Sequence, residues 1–280
     1  MKAKIFFITF CNLLICNLLI SQSITNTLGS SGTFTIKDGS TSYLTLSQST
    51  GQINVLKTLR LENTTSSTTG IIFKGLTRFL HDYRGPASTG ANTFLGINAG
   101  NFTMSGSGFQ GSDNTGIGYN SLLSLTTGYR NTGVGSTSLN SNTTGGSNSA
   151  FGYRSLTNST TGNNNTGVGS LSLYSNNIGY LNTGVGVSSL SSNTSGNANT
   201  ATGCNSLLFN TTGSNNSAFG QESLTNSSTG DYNSAFGYIS LSSNTTGTNN
   251  TGIGYNAQVP SGTANNQVRI GNTSVTYADV

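Results

Sequence analysis

One 17-residue unit recurs without insertion through the second half of the chain, and it constrains the fold more than any other feature of the sequence. Each unit begins with an asparagine, namely Asn114, Asn131, Asn148, Asn165, Asn182, Asn199, Asn216, Asn233 and Asn250. A strict short period is typical of a solenoid, in which each unit buries its apolar residues only against the neighbouring units. The sequence therefore predicts stacked, near-identical coils.

Within the unit, an apolar residue, two glycines and a leucine hold fixed places, as the second unit illustrates. Val134 and Gly135 follow Asn131, then come Leu139 and, near the end, Gly145. We expect one short strand around Val134 and a second around Leu139, with both of these side chains buried. The two glycines suit corners that need a positive φ. Stacked asparagines are expected to form side-chain amide ladders along the axis.

Composition points to the same fold class and to self-association. Charged residues make up 6% of the chain, and Gly accounts for 38 of its 280 residues. Asn, Ser, Thr and Gly favour turns over helix interiors, so the fold predicted is all-β. Two apolar side chains per unit make a thin core for the backbone entropy that ordering the unit costs. We therefore expect several chains to bury surface together, as a homotrimer.

The first residues predict export. Lys2 and Lys4 precede an apolar run over residues 5–20, and small polar residues follow it, a pattern typical of a secretory signal peptide spanning residues 1–23. A permanent membrane anchor is the alternative, but the run is short and contains asparagines. A lipoprotein signal at Cys16 is a weaker alternative because bulky Ile15 precedes it. We expect a secreted or cell-surface protein with no stable membrane span once the signal is removed.

The rest of the chain divides by composition into four further segments. A β-rich, stalk-like segment carries most of the remaining charge, and its Asp38-Gly39 pair between alternating residues predicts a hairpin. A degenerate capping repeat and linker come next, then the nine repeats, then a tail. The boundaries that we predict are residues 24–85, 86–113, 114–258 and 259–280.

The repeats resemble the heads of trimeric autotransporter adhesins, the YadA-like left-handed parallel β-roll, in which an Asn-Ser/Thr-x-apolar-Gly segment recurs once per coil. They resemble more closely the repeats of surface proteins and phage-type tail fibres that end in an intramolecular chaperone domain, because residues 265–272 match the closing segment of those repeats. The resemblance implies a left-handed, trimeric solenoid on the exterior of an outer membrane. The unit here is longer, and no chaperone domain, heptad stalk or barrel anchor is visible, so we expect a truncated chain or fragment.

One variable place in the repeat is the candidate contact surface. It holds Tyr119, Tyr153, Tyr238 and Tyr255, and in other units Ser, Val, Cys or Gln. Variation inside a strict repeat indicates a side chain outside the core. The place is either a tolerant solvent face or a surface on which tyrosines contact a partner through an apolar ring and a polar tip. A host-surface protein or glycan is the partner expected.

The inventory of reactive side chains argues against catalysis. His81 and Asp82 are adjacent, but a triad needs a base and an orienting acid that converge in space, and a surface position is expected for this histidine. The repeats contain only Glu222 and Asp231 as acids, whereas calcium-binding rolls need an aspartate in every unit. The Gly-rich segment at residues 106–111 is interpreted as a coincidence of composition. We predict no cofactor, no metal, no nucleic-acid partner and no enzymatic activity.

These observations favour an exported structural or adhesive protein, an elongated trimeric β-solenoid that presents a repetitive polar surface for attachment. A phage-derived tail-fibre shaft is the alternative, because the same physics serves a different setting. A carbohydrate-active solenoid enzyme is disfavoured, since it would need paired carboxylates. An ice-binding solenoid is disfavoured because Thr-x-Thr does not recur in every coil.

Overall fold

The structure, a computed structural model, separates into two units, Met1–Arg60 and Leu61–Val280. The described residues are 33–38, 41–47, 52–55, 61, 63–64, 66 and 70–275. The predicted signal segment, residues 1–23, lies outside them, and each unit is treated by itself. No described helix is long and apolar enough to cross a membrane.

The first unit contains an antiparallel sheet of three strands. These are β1 (Thr33–Asp38), β2 (Thr41–Ser47) and β3 (Gln52–Val55). Asp38 at the end of β1 pairs with Thr41 at the start of β2, so the hairpin predicted from the Asp-Gly pair is confirmed.

The second unit is built from fifteen short strands and, within its described residues, no α-helix. The strands are β4 (Ile72–Lys74), β5 (Thr77–His81), β6 (Ala87–Ser88), β7 (Thr93–Leu95), β8 (Ser107–Gly108), β9 (Thr115–Ile117), β10 (Thr132–Val134), β11 (Ser149–Phe151), β12 (Thr166–Val168), β13 (Thr183–Val185), β14 (Thr200–Thr202), β15 (Ser217–Phe219), β16 (Ser234–Phe236), β17 (Thr251–Ile253) and β18 (Val268–Ile270). Thirteen of them form one sheet, in the order β18 back to β9, then β7, β5 and β4.

Strands β9 to β18 are all parallel and follow chain order, so each 17-residue unit makes one complete coil. Thr132 pairs with Thr115 on one side and with Ser149 on the other. The Thr132 N–H donates to the Asn148 carbonyl at 2.8 Å, and the Gly135 N–H donates to the Ile117 carbonyl at 2.8 Å. The predicted all-β parallel solenoid of 17-residue repeats is confirmed. Ten strands at about 4.8 Å spacing extend the stack for about 40 Å.

The interior of each coil differs from the one we predicted. Leu139 is fully buried as expected, but it lies in a turn with φ 49° rather than in a second strand. Val134 points outward and is half-buried, while Gly133, beside it in β10, points inward. Because alternate residues of a strand face opposite sides, Gly133 and Val134 cannot both face the core. The second apolar column is therefore on the outside of the solenoid.

Asparagine fills much of the space that the prediction gave to apolar residues. Asn148 illustrates the ladder that these side chains form from coil to coil. The main-chain N–H and the Nδ2 of Asn148 donate to Asn131 Oδ1 at 3.0 and 3.1 Å. The same Nδ2 also donates to the Gly162 carbonyl at 2.8 Å. Each repeat asparagine is almost completely buried. The predicted amide ladder is confirmed, and its hydrogen bonds satisfy polar groups that would otherwise be costly to bury.

The two glycines that hold fixed places in the repeat, Gly135 and Gly145 in the second unit, are needed for different reasons. Gly135 has φ 134°, and its equivalents in the other coils lie between 107° and 135°, a region that only glycine enters easily. Gly145 is not among the residues with positive φ, which corrects the corner geometry we predicted for it. A Cβ at Gly145 would instead collide with the carbonyl oxygen of Gly162 in the next coil, so this place requires glycine for close packing.

Candidate functional site

The outward face of the parallel sheet carries a row of apolar side chains in register, which we call the apolar stripe. Its members are Leu95, Ile117, Val134, Phe151, Val168, Val185, Phe219, Phe236, Ile253 and Ile270, with Thr202 between them. All but Val134 are 36–46% exposed, and each lies directly over its neighbour because the strands pair without slippage. Sequence reasoning missed this face because it assigned the whole column to the core.

The four predicted tyrosines lie two residues after the stripe and run parallel to it. Tyr119, Tyr153, Tyr238 and Tyr255 are 48–58% exposed. Val187 and Cys204 occupy the same column and are also exposed. The structure therefore places the variable side chains outside the core, beside the apolar stripe, and their role as contact residues stays a prediction.

Ring stacking determines what these aromatic side chains offer to a partner. Phe219 and Phe236 stack with centroids 5.2 Å apart and planes 4° from parallel, and Tyr238 and Tyr255 stack at 5.8 Å and 12°. Each stacked ring covers one face of its neighbour. The Arg154 guanidinium lies 5.2 Å from the centre of the Tyr153 ring, at a distance typical of a cation–π contact. The aromatic side chains of the apolar stripe and of the tyrosine column thus present ring edges and hydroxyl groups more than open ring faces.

The histidine that we expected on the surface is buried at the N-terminal end of the solenoid. His81 is 3% exposed, and its ring lies 4.9 Å from Phe94 and 4.8 Å from Phe102. Its Nε2 lies 2.8 Å from the Ala99 carbonyl, and its Nδ1 accepts the Tyr83 N–H at 3.3 Å. Burial lowers the pKa of His81 to about 4, and the nearby Arg78 acts in the same direction.

The side chain of Asp82 forms a hydrogen bond with the main chain of Thr64. Its Oδ1 accepts the Thr64 N–H at 2.8 Å, and two clefts of about 270 and 190 Å³ flank it. Since both ring nitrogens of His81 are engaged by main-chain groups, the adjacent pair does not form the base and acid of a triad.

The other candidate chemical groups are dispersed across the repeats. Asp231 Oδ1 accepts the Ser214 N–H at 2.7 Å, as Asn163 Oδ1 does for the Gly146 N–H four coils earlier in the same column. Glu222 lies at a left-handed turn position with φ 56°. Among the described residues, no three His, Cys, Asp or Glu side chains are grouped to hold a metal ion. The Gly-rich segment 106–111 contains β8 and a turn, and no helix follows it.

Comparison with known proteins returned nothing: no protein-family model, no curated protein and no solved structure matches this chain.

Proposed function

We propose that this chain is an exported structural protein whose solenoids associate as a homotrimer through the apolar stripe and present the remaining polar surface for attachment. The observation that carries the proposal is the stripe itself. Apolar side chains recur on the outside of every coil but one, while leucine, asparagine and serine occupy the inside. A contiguous exposed apolar patch of this kind is typical of a protein–protein contact.

Identical register makes a second copy the best-matched partner. The stripe repeats at the strand spacing of about 4.8 Å, so another solenoid of the same sequence offers apolar rows at the same spacing. The stacked pairs Phe219–Phe236 and Tyr238–Tyr255 lie toward the C-terminal end, where they add aromatic side chains to this surface. Aromatic side chains supply much of the contact energy at protein interfaces.

The polar side chains outside the apolar stripe support a passive, adhesive role over catalysis. In the repeats, Thr, Ser and Asn side chains donate to main-chain carbonyls of the next coil, as Thr143 Oγ1 does to Thr160 at 3.1 Å. Their polar groups serve mainly to hold the coils together. We propose that the tyrosine column at the rim of the stripe contacts a host-surface protein or glycan, and that the protein acts without a cofactor.

Sedimentation equilibrium of residues 24–280 tests the assembly. We expect the mass of a trimer for the parent chain and the mass of a monomer for the double variant Phe219→Asp, Phe236→Asp, because buried carboxylates would be desolvated in the contact. The matched control is Thr144→Asp with Thr161→Asp, which adds the same charge at exposed positions away from the stripe. A monomeric parent, or an unchanged trimer in the stripe variant, would overturn the proposal.

Binding to immobilised host-cell surfaces tests the attachment role separately. Replacing Tyr119, Tyr153, Tyr238 and Tyr255 by serine should reduce binding of the trimer at least tenfold while its mass stays constant. Equal binding by the parent and the tyrosine variant would remove the column from the contact surface.

A further inference from the structure

A second asparagine ladder runs inside the coils, twelve places into each unit. Its members are Asn142, Asn176, Asn193, Asn210 and Asn244, all fully buried. Where three asparagines follow one another, Asn193 Nδ2 donates to Asn176 Oδ1 at 2.7 Å and to the Gly196 carbonyl at 3.0 Å. Asn210 Nδ2 repeats both bonds, to Asn193 Oδ1 and to the Gly213 carbonyl. In this stretch each amide thus donates to the coil before it and to its own turn.

Serine interrupts this ladder twice, at Ser159 and Ser227. Both serines are fully buried, and the Oγ atom of each is without a hydrogen-bond partner. The asparagine one coil earlier is affected in the same way, because Oδ1 of Asn142 and Oδ1 of Asn210 also have none. The same pair of orphaned atoms therefore occurs at two places, four coils apart, where the local sequences read Leu-Thr-Asn-Ser.

The asparagine one coil later supplies a donor to the first of these gaps. Asn176 Nδ2 donates to the Gly179 carbonyl at 3.0 Å, and in the uninterrupted ladder its other proton would bond the residue that Ser159 replaces. A Cβ built on Gly162, in the same coil as Ser159, would lie 3.1 Å from Asn176 Nδ2, so this amide is directed toward the gap. At the second gap, Asn244 Nδ2 likewise donates to its own turn, at Gly247.

Size and chemistry agree on the occupant. Replacing an amide by a hydroxyl removes roughly the volume of one water molecule, about 30 Å³ in the liquid. Each gap offers an acceptor in Asn Oδ1, a donor in Asn Nδ2, and a serine hydroxyl that can do either. Buried waters typically make about three hydrogen bonds to groups that are otherwise unsatisfied, and a buried polar atom without a partner is costly to the fold.

We propose that each interruption is a binding site for a single internal water molecule. One water bridges Asn142 Oδ1 and Ser159 Oγ, with Asn176 Nδ2 the next donor along the ladder, and the other bridges Asn210 Oδ1 and Ser227 Oγ, with Asn244 Nδ2 the next donor. Each water takes the place of the missing amide nitrogen and satisfies the two atoms that the serine leaves without partners.

Water ¹⁷O relaxation dispersion of the full chain tests the proposal, because its amplitude counts long-lived internal waters. We expect the double variant Ser159→Asn, Ser227→Asn to lose two such waters per chain, since asparagine already occupies this place in neighbouring coils. The converse variant, Asn193→Ser, should gain one. A crystal structure of the parent should show ordered density at both gaps.

A serine-to-asparagine change outside the ladder provides the matched control. Ser195→Asn adds an amide at a half-buried position outside the ladder and should leave the number of internal waters unchanged. An identical dispersion amplitude for the parent and the Ser159→Asn, Ser227→Asn variant would overturn the proposal, as would empty gaps in the crystal. If Asn193→Ser does not fold, the loss of two waters still decides the question.

Discussion

The N-terminal cap of the solenoid, residues 70–113, and the regular coils after it solve the same packing problem with different side chains. Phe94 pairs in register with Gly116 of the first full coil, so an aromatic ring in the cap takes the place of a glycine in the repeat. The cap also buries Met104, Tyr83 and His81. The second to eighth coils bury one leucine each, together with asparagine and serine side chains.

The difference follows from how many neighbours a coil has. A coil inside the stack has one on each side, and both complete its amide ladders, so polar side chains can fill it. The cap lacks such a coil on its outer side, where the antiparallel hairpin β4–β5 covers it instead. A hairpin offers no ladder of matching amides, and bulky apolar residues fill the space. Phe94 then requires Gly116, whose Cβ would lie 2.9 Å from the Phe94 ring.

The largest effect is expected at a glycine place that both regions share. Gly186 has φ 130°, and a Cβ there would lie 2.6 Å from the Gly203 carbonyl oxygen. We expect Gly186→Ala to lower the free energy of unfolding by about 4 kcal/mol through strain and overpacking, measured by guanidinium unfolding. Gly75→Ala is the control, since Gly75 also has positive φ but open space around it, and it should lose about 1 kcal/mol. Equal losses would show that the clash is relieved.

The contrast between polar and apolar filling can be tested with leucine in both regions. Asn182→Leu leaves the N–H and Nδ2 of Asn199 without their shared acceptor, and we expect a loss of about 3 kcal/mol in the free energy of unfolding. Phe94→Leu keeps an apolar side chain in the cap and should lose only about 1 kcal/mol. Calorimetry of both variants checks the order. A smaller loss for Asn182→Leu would mean that the ladder is replaceable by apolar packing.

The cap is expected to be the acid-sensitive region. Because the folded pKa of His81 is about 4 against 6.5 in its ordinary state, the unfolded chain binds the proton first as pH falls. The stabilisation is complete above pH 6.5 and is lost as pH falls toward 4, by about 2 kcal/mol between pH 7 and pH 5. Hydrogen exchange at Tyr83 and Phe94 should report this loss. His81→Gln should flatten the pH dependence, and a slope that persists in it would assign the effect elsewhere.

The smallest effect concerns turn strain in a regular coil. Ile239 has φ 50°, in the left-handed region that β-branched residues disfavour, while Asn205 and Asn256 hold the same place in other coils. We expect Ile239→Asn to raise the free energy of unfolding by about 0.5 kcal/mol. The reverse change, Asn205→Ile, should lower it by a similar amount in the same denaturation assay. Gains or losses of the same sign in both variants would contradict the explanation.

The repeat made most of the fold predictable. The period gave one coil per 17 residues, and Asn131 and its equivalents, which begin all nine units, indicated the ladder. The prediction was wrong in burying the apolar column that contains Val134. An apolar residue at a fixed place gives the same sequence pattern whether it packs inward or belongs to an outward stripe. The place of Gly133, which is Gly in five units and Ala in four, carried the signal: a small residue faces the crowded interior, so its neighbours in the strand face out.

Burial of His81 could not be read from its own position either. The residues that enclose it, Phe94 and Phe102, lie 13 and 21 places along the chain, in a stretch whose period departs from the repeat. No local pattern connects these residues with His81. The pairing of β5 with β7 places His81 opposite Phe94.

The sequence by itself determined the stacking, since a strict period allows each residue to meet its own equivalent one coil away. It also determined the buried asparagine column, because an amide both donates to and accepts from a copy of itself. Tertiary structure alone decided which side of the strand faces the core, how the first coil is closed, and where the ladder is broken. Those outcomes depend on the space left between coils, which is a property of the packed backbone and not of any residue in its local context.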